Sequence, residues 1–373
     1  MKKIIAASMA FLMAGSLVSC GKDKSTDEAN EKKTIGIAMP AKELDRWNSD
    51  GESLKKQFED AGYNVNLKFS QNDSTRQNND ILAMLSDGVD LLLVAAVDGS
   101  TMSKPLAEAK SKNIPVVAYD RLIMNTDAVT YYISFDNYTV GKLQGEFVRD
   151  ELGLNNNDGP FNIEFVAGDS GDNNARYFFN GAYDTLASYI DAGKLVIPSG
   201  KTSFERVATS GWTSDNAAKN MKTTLAGYYK DKELDVVLCS NDSTALGVTR
   251  CLADNYVGRR QPIITGQDGD IENLKNIVDG KQSMTVYKNV NDEAKVTYEV
   301  CKKLLDGEIP AAQLANELTI DCVFDSESYN NGVKYVASYL LVPNVITKDN
   351  LQVLVNTGLY QWDSANKYLE LVK

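Results

Sequence analysis

Polar side chains follow almost every apolar run of the sequence at the point where the run ends. In PVVAYDRL (115–122), the apolar residues Val116–Tyr119 lead directly into the adjacent charges Asp120 and Arg121. Turns and helix caps commonly explain Asp or Asn at such points, and for each one taken singly this explanation stays open. It does not explain the cations and the Arg-Trp pair at the same places. The residues in these positions are Lys42, Arg46, Trp47, Asp98, Asp120, Arg121, Asp136, Asn137, Asp172, Asn173, Asn174, Arg176, Asn241, Asp242, Gln267, Asp268 and Lys288.

Together these side chains have the chemistry that a neutral polyhydroxylated ligand requires. Carboxylate and amide oxygens accept from hydroxyl groups, Arg and Lys donate to them, and hydrogen bonds to charged groups are the stronger ones. The ring of Trp47 or Trp212 can pack on the apolar C–H face of a sugar. A phosphate ligand is disfavoured, because the chain contains neither G-x-G-x-x-G nor G-x-x-x-x-G-K-[ST].

Metal binding and catalysis fit the residues less well. Asp268, Asp270 and Glu272 alternate like the start of a calcium loop, but Asn273 replaces the required sixth-position glycine. A glycosidase needs two carboxylates that face one bond at a set separation, whereas here the carboxylates stand beside Arg or Asn. The chain has no histidine, the usual general base and commonest metal ligand. We therefore expect a binding protein rather than an enzyme, with no metal and no cofactor.

The composition limits the size of the fold and the kind of partner. The chain has 373 residues, of which 43% are hydrophobic and 24% charged, and this is typical of a globular protein long enough for two domains. Its formal net charge of -12 argues against nucleic acid, which requires a basic patch on the protein.

The first twenty residues resemble the leader of a bacterial lipoprotein. Two lysines precede Ile4–Leu12, an apolar run too short to span a bilayer, and small residues precede Cys20. We expect residues 1–19 to be a signal peptide and Cys20 to carry lipid on its sulfur, so that the protein is anchored to the membrane in the periplasm or at the cell surface. In the alternative, Cys20 is a buried cysteine of an ordinary signal peptide. The polar residues 20–33 are predicted to be a flexible tether.

Four further cysteines stand at positions 239, 251, 301 and 322. An even number in an exported protein permits disulfides. None has C-x-x-C spacing, however, and three of them lie in apolar or helical patterns. We predict buried free thiols that bind no metal.

Strand-like and helix-like segments alternate from Thr34 onward. Near-continuous apolar runs such as Thr34–Met39 and Leu91–Val97 are typical of parallel strands that are covered on both faces. The alternation starts again after Asp136. The sequence therefore predicts an α/β protein of two units, and in such sheets ligands bind beyond the carboxyl ends of the strands.

Nine short motifs give the chain a family resemblance that runs from about Thr34 to the C-terminus. It resembles the type I periplasmic sugar-binding proteins of ABC importers, and most of all their xylose-binding and multiple-sugar-binding members. The motifs, in order, are RW (46–47), AYDRL (118–122), YISFDN (132–137), DNNA (172–175), GW (211–212), SND (240–242), GQD (266–268), TVYK (285–288) and NNGVKYVASYLL (330–341).

The resemblance implies two Rossmann-like lobes with parallel sheets, joined by a hinge of three crossings, which is the periplasmic binding protein-like I fold. The segment 311–329 is longer than the family pattern suggests. The implied divisions are crossings near 135–137, 288–290 and 334–338, an N-terminal lobe of 34–135 plus 290–335, and a C-terminal lobe of 137–288 plus 338–373.

Residue by residue, the resemblance also implies one set of sugar contacts from both lobes. The main set is Arg46, Trp47, Asp120, Arg121, Asn137, Asn174, Arg176, Trp212, Asn241, Asp268 and Lys288, with Lys42 and Asp98 as weaker members. The implied function is that a monomer captures a monosaccharide of the xylose, glucose, galactose or arabinose type and delivers it to an ABC permease. In the alternative, the protein is a sugar-sensing binding protein that presents its ligand to a chemoreceptor or sensor kinase. A sugar-responsive repressor is disfavoured, because no helix-turn-helix precedes Thr34.

Overall fold

The computed structural model of the protein describes residues 32–372. The predicted signal peptide, Cys20 and most of the predicted tether lie outside the described residues. Within residues 32–372, no helix is long and apolar enough to cross a membrane.

Strands and helices alternate through most of the described chain, as the sequence predicts. The strands are β1 Thr34–Met39, β2 Asn64–Phe69, β3 Leu91–Val94, β4 Val116–Tyr119, β5 Val129–Phe135, β6 Phe161–Val166, β7 Leu195–Val196, β8 Val236–Cys239, β9 Ile263–Ile264, β10 Gln267–Asp268, β11 Thr285–Tyr287, β12 Cys322–Asp325, β13 Ser338–Leu341, β14 Asn344–Ile346, β15 Tyr360–Trp362 and β16 Leu369–Leu371. The α-helices are α1 Asp45–Asp60, α2 Ser74–Ser86, α3 Ser103–Ser111, α4 Asn137–Glu151, α5 Asn173–Asp191, α6 Phe204–Val207, α7 Ser214–Tyr228, α8 Asp242–Asn255, α9 Ile271–Val278, α10 Val290–Leu305, α11 Ala312–Glu317 and α12 Gln352–Asn356.

A seven-stranded sheet, in the order β12-β13-β5-β4-β3-β1-β2, forms the first lobe. Its strands are parallel except for β12, which pairs antiparallel with β13 at the edge. Side chains of a strand alternate between the two faces of the sheet. Ile35 and Ile37 accordingly pack with α1 and α10 on one face, and Ala38 packs with α2 and α3 on the other. Both faces are covered, which explains the continuous apolar runs of the sequence.

The second lobe contains two smaller sheets. β6, β7, β8 and β9 form a parallel sheet in the order β7-β6-β8-β9. β10 pairs in parallel with β11, and β14 pairs antiparallel with β11. A hairpin of β15 and β16 follows at the end of the chain. The predicted α/β class with mainly parallel sheets is confirmed.

The third connection between the lobes lies later in the chain than the sequence predicts. The predicted crossing near 334–338 assigned residues 338–373 to the C-terminal lobe. In the structure, however, Ser338–Leu341 pairs in parallel with Tyr132–Phe135 of the first sheet. All four residues of β13 are buried, so the strand extends the first sheet beyond β5. The chain therefore leaves the first lobe after Leu341 and joins the second lobe at Asn344, where β14 pairs with β11.

The long segment 311–329 forms an extra edge of the first sheet. It contains α11 and the strand β12, whose residues Cys322 and Phe324 pack on the core beneath α1 and α10. Cys239, Cys251 and Cys301 are buried free thiols, as predicted, whereas the free thiol of Cys322 is only half-buried.

Helices α4 and α5 pack so closely that two glycines face the backbone of the opposite helix. A Cβ atom on Gly141 would lie 1.9 Å from the carbonyl oxygen of Phe178, and one on Gly181 would lie 2.1 Å from that of Tyr138. Only a residue without a side chain permits this approach. The two helices begin at Asn137 and Asn173, and their spacing therefore fixes where these polar N-termini lie.

We predict that Gly141→Ala lowers the free energy of unfolding by about 1–3 kcal/mol, because the added methyl group forces the helices apart. The matched control is Gly227→Ala in α7, where a Cβ meets nothing within 4 Å. The control should be neutral or stabilising by up to about 1 kcal/mol, since alanine has the higher helix propensity. Urea denaturation measures both. Equal effects of the two substitutions would contradict the close packing.

Candidate functional site

A pocket lies between the two lobes, at the carboxyl ends of their strands. It has a volume of about 450 Å³, including its open mouth. The lining comes from both lobes and is predominantly polar, with three cations, several carboxylates and two tryptophans. The lining residues are Leu44, Arg46, Trp47, Asp120, Arg121, Asp172, Phe178, Trp212, Asn241, Ser243, Gln267, Asp268, Asp270 and Lys288.

The backbone turn at Asp120 explains how two adjacent charges reach this one pocket. Strand β4 ends at Tyr119, and Asp120 has a φ of +54°, in the left-handed region that a non-glycine residue rarely adopts. Neighbouring side chains on a strand point to opposite faces, but this turn breaks the alternation. The carbonyl oxygen of Asp120 accepts from Ser134 Oγ at 3.0 Å and from the amide of Asn174. Such an outlier persists because the surrounding hydrogen bonds hold it.

Arg46 is the centre of the electrostatics of the pocket. Its Nη2 donates to Asp120 Oδ1 and Glu293 Oε2, both at 2.8 Å. Its Nε donates to Asp50 Oδ2 at 2.9 Å, and its Nη1 donates to Asp268 Oδ1 at 3.2 Å. A guanidinium has five N–H donors. Four of them are engaged by these carboxylates, which leaves one on Nη1 for a ligand.

The pKa values of the carboxylates around Arg46 shift in different directions. Burial raises the pKa of Glu293 well above its usual value, and the negative charge of Asp120 adds to the rise. Burial also raises the pKa of Asp50. Burial acts on Asp120 in the same direction, but Arg46 and Lys288 together hold the pKa of Asp120 well below its usual range. Lys288 Nζ donates to Asp120 Oδ1 at 3.1 Å. Asp120 therefore stays ionised in the pocket, while Glu293 favours the neutral form.

Arg121 is held by contacts to both lobes. Its Nη1 donates to the carbonyl oxygen of Ala96 at 2.8 Å, and its Nε forms an ion pair with Asp172 Oδ2 at 3.0 Å. Its guanidinium carbon also lies 4.8 Å from the ring centroid of Trp47, a cation–π distance. Arg121 thus fixes the Trp47 ring and links the end of β4 to the start of α5.

Trp212 lines the pocket from the second lobe. Its ring stands edge-on to Phe178, with the ring centroids 6.2 Å apart. A Cβ on Gly168 would lie 1.9 Å from this ring, so only glycine leaves room for it. Within the described residues, the buried Trp212 Nε1 has no hydrogen-bond partner. Trp47 and Trp212 therefore supply two aromatic surfaces, one from each lobe.

The structure brings eight of the predicted contact residues to the pocket. They are Arg46, Trp47, Asp120, Arg121, Trp212, Asn241, Asp268 and Lys288. Asn241 also caps α8, where its side chain accepts from Thr244 N at 3.0 Å. Asn241 therefore caps a helix and lines the pocket at the same time.

Asn137 and Asn174 lie one layer behind the pocket lining. Asn137 Nδ2 donates to Tyr132 Oη at 2.8 Å, and Asn174 Nδ2 donates to the carbonyl oxygen of Asp120. Both side chains are buried. They support the turn at Asp120 rather than line the pocket.

The other three predicted residues point elsewhere. The exposed Arg176 pairs with Glu205 at 2.6 Å, and Lys42 is exposed with its Nζ 5.7 Å from the ring centroid of Phe69. Asp98 accepts from Ser100 N at 2.9 Å in a local turn. This turn explains why the sequence has Asp at position 98, which is the alternative that the sequence analysis left open for single Asp residues.

Six lining residues were not among the predicted contacts. Asp172 and Gln267 stand at strand ends in the sequence, so the strand-end pattern had already marked them. Phe178 lies one helical turn after Asn174 in α5, and this spacing indicates that it faces the same way. The remaining three are Leu44, Ser243 and Asp270.

The fold is thus that of two α/β lobes with a pocket between them that both lobes line. Residues 35–309 match the model of the periplasmic binding protein domain. The chain therefore belongs to the periplasmic binding protein family, a family of binding proteins and not of enzymes.

Relatives and solved structures agree with this assignment. The chain is 40% identical over 339 residues to the multiple sugar-binding periplasmic receptor ChvE of Rhizobium radiobacter, covering 90% of this chain and 93% of that one. It is 32% identical over 328 residues to the D-xylose-binding periplasmic protein of Escherichia coli, covering 88% and 91%. An ABC transporter solute binding protein from Clostridium phytofermentans, solved with β-D-glucose, has a TM-score of 0.83 and 45% identity, covering 90% and 99%.

We predict that Glu293→Gln flattens the pH dependence of stability. An unfolded glutamate titrates near pH ~4.3, whereas the folded pKa of Glu293 is raised. The stability that this group contributes is therefore complete below pH ~4.3 and is lost as the pH rises toward the folded pKa. Glutamine is neutral at every pH and can still accept from Arg46.

Urea midpoints between pH 4.5 and pH 8 measure this effect. Relative to Glu293→Gln, the unsubstituted protein should lose up to about 1.4 kcal/mol of unfolding free energy per pH unit. Glu52→Gln on the exposed surface of α1 serves as the control and should follow the unsubstituted protein. Identical pH profiles for all three proteins would refute a neutral Glu293.

Proposed function

We propose that the protein captures a monosaccharide of the glucose or xylose type in the pocket between its lobes and delivers it to an ABC permease. The main observation is that hydrogen-bond donors and acceptors from both lobes line one space together with two tryptophans. A pyranose has hydroxyl groups around its edge and C–H groups on its faces, and this lining matches both.

The printed names of the relatives support this ligand class. A multiple sugar-binding receptor and a xylose-binding protein are similar along almost the whole chain. Two similar solved structures, from Clostridium phytofermentans and Chloroflexus aurantiacus, contain glucose. The Chloroflexus protein has a TM-score of 0.78 and 28% identity.

Sugar binding would favour the closed arrangement of the lobes. Asp120 belongs to the first lobe, whereas Asp268 and Asn241 belong to the second. Hydroxyl groups that bond to all three are satisfied only when the lobes meet, so the ligand shifts the population toward the closed form. The ion pair of Arg46 with Asp268 joins the same two lobes. A hydroxyl group that enters between these two side chains can accept from Arg46 and donate to Asp268.

The second proposed role of the protein is sugar sensing. The relative from Rhizobium radiobacter is named a receptor, which favours presentation of the closed form to a chemoreceptor or sensor kinase. Uptake of labelled sugar that stops when the permease is deleted would assign the protein to import. Loss of a sugar response with unchanged uptake would assign it to sensing.

We predict that Asp268→Asn weakens monosaccharide binding by about 10- to 100-fold, because a hydrogen bond to a charged acceptor is replaced by a neutral one. Titration calorimetry of residues 33–373 with D-glucose, D-xylose, D-galactose and L-arabinose measures the affinities. The melting temperature of the free variant, measured in parallel, separates the loss of sugar contact from the loss of the ion pairs that Asp268 makes with Arg46 and Lys288.

Arg176→Ala is the matched control, because it removes an exposed ion pair outside the pocket. Its sugar affinity should equal that of the unsubstituted protein. Absence of heat with all four sugars in the unsubstituted protein would contradict the proposed ligand class. Equal losses in both variants would contradict the role of Asp268.

We also propose that Cys20 carries the lipid anchor. Cells that express the full chain with an alkyne-labelled fatty acid should give a labelled membrane-bound protein. Cys20→Ala should abolish the label and release the protein from the membrane fraction. Cys239→Ala, which removes a buried thiol, is the control and should keep the label. Membrane-bound Cys20→Ala protein without label would indicate an uncleaved leader instead.

A further inference from the structure

A second cavity adjoins the sugar pocket on the side of the hinge. It has a volume of about 840 Å³, including its open part. Four residues line both spaces, namely Arg46, Asp268, Asp270 and Lys288. We call this second cavity the annex, and we call the four shared residues the partition.

The lining of the annex is partly charged and partly aliphatic. Besides the partition, it includes the aliphatic side chains Ile271, Val290, Leu359, Leu371 and Val372. Leu371 and Val372 are 50% and 48% exposed, which is unusual for apolar side chains at a cavity. The annex therefore offers polar groups to a sugar and apolar side chains to a hydrocarbon group.

Two polar groups around the annex are engaged within the protein, whereas Tyr287 Oη is buried without a hydrogen-bond partner among the described residues. Tyr360 Oη donates to the carbonyl oxygen of Gly269 at 3.0 Å, and Asn291 Oδ1 accepts from Ser53 Oγ at 2.8 Å. The rings of Tyr287 and Tyr360 pack edge to face, with centroids 5.8 Å apart, and both are buried. The hydroxyl groups of a second sugar ring that face the aliphatic side chains would stay unpaired, and unpaired buried hydroxyls are unfavourable. An apolar ring has no hydroxyl groups to leave unpaired.

The partition is at its weakest around Asp268. Asp268 lies 3.2 Å from Arg46 and 3.7 Å from Lys288, whereas Arg46 lies 2.8 Å from Asp120 and Glu293. Asp268 has a φ of +110° and is the most exposed of these acids. A ligand that draws the Asp268 carboxylate away from Arg46 would join the first pocket to the annex.

From this arrangement we infer that the annex accepts the apolar aglycone of a glycoside whose sugar ring occupies the first pocket. The inference rests on the proposed monosaccharide binding. The protein would then bind glycosides as well as free sugars, with the glycosidic oxygen passing Asp268 and the aglycone lying against Leu359 and Ile271.

The test compares ligands that differ only in the aglycone. Calorimetry uses the α- and β-anomers of the methyl and phenyl glycosides of D-glucose and D-xylose, with the free sugars and cellobiose beside them. For one anomer, the phenyl glycoside should bind about tenfold or more tightly than the methyl glycoside, because burying an aromatic ring is favourable. Cellobiose should bind less tightly than that phenyl glycoside.

Substitutions that fill the annex provide the structural control. Leu359→Trp should abolish the advantage of the phenyl glycoside and leave the affinity for the free sugar unchanged, because Leu359 lines only the annex. Ile271→Trp is the second filling variant if Leu359→Trp does not fold. Val257→Trp, at a side chain that is 85% exposed and lines neither cavity, should bind every ligand like the unsubstituted protein.

Each contrary outcome has a distinct meaning. Free sugar binding without any phenyl advantage overturns the aglycone site and leaves the proposed function intact, whereas no binding of any sugar overturns the proposed function itself. A phenyl advantage that survives both filling variants also overturns the inference.

Discussion

The buried guanidinium of Arg46 holds the binding site together. It touches four carboxyl groups that come from α1, the turn after β4, α10 and β10, and thus from both lobes. Without this cation the ionised Asp120 would lose a matching positive charge in a buried space, and an uncompensated buried charge is strongly unfavourable. The position of the first helix, the turn after β4 and the second lobe therefore all depend on one side chain.

This constraint also explains why a neutral ligand suits an acidic pocket. The cations Arg46 and Lys288 are already matched by carboxylates, so an anionic ligand would add unbalanced negative charge. A hydroxyl group adds none, and it can donate to Asp120 and accept from Arg46 at the same time. The two tryptophans then select for a ring with apolar faces. The protein meets the ligand with charges already held in place, which reduces the ordering needed on binding.

Much of the fold could be predicted because its strands are buried on both faces. β1 and β4 were predicted to the residue, since each is a short, near-continuous apolar run. The third connection was misplaced because NNGVKYVASYLL shows no sequence signal for the sheet that it joins. Only the pairing of β13 with β5 makes that choice. The extra edge strand β12 is half-exposed, and its weak apolar pattern hid it.

By itself, the sequence determined which residue types stand at the strand ends, because apolar runs and their polar ends are local features. The strand-end pattern predicts that Asp120, Asp268 and Lys288 lie beyond the carboxyl ends of their strands, where ligands bind in such sheets. That the strand ends of two different sheets meet is decided by the tertiary structure. Only the tertiary structure decided which of these side chains line the pocket and which support it. Arg176 lies on the outer side of α5, Asn174 faces inward on the same helix, and Glu293 joins the cluster from a distant helix. Such differences arise from helix rotation and long-range packing, which no short stretch of sequence encodes.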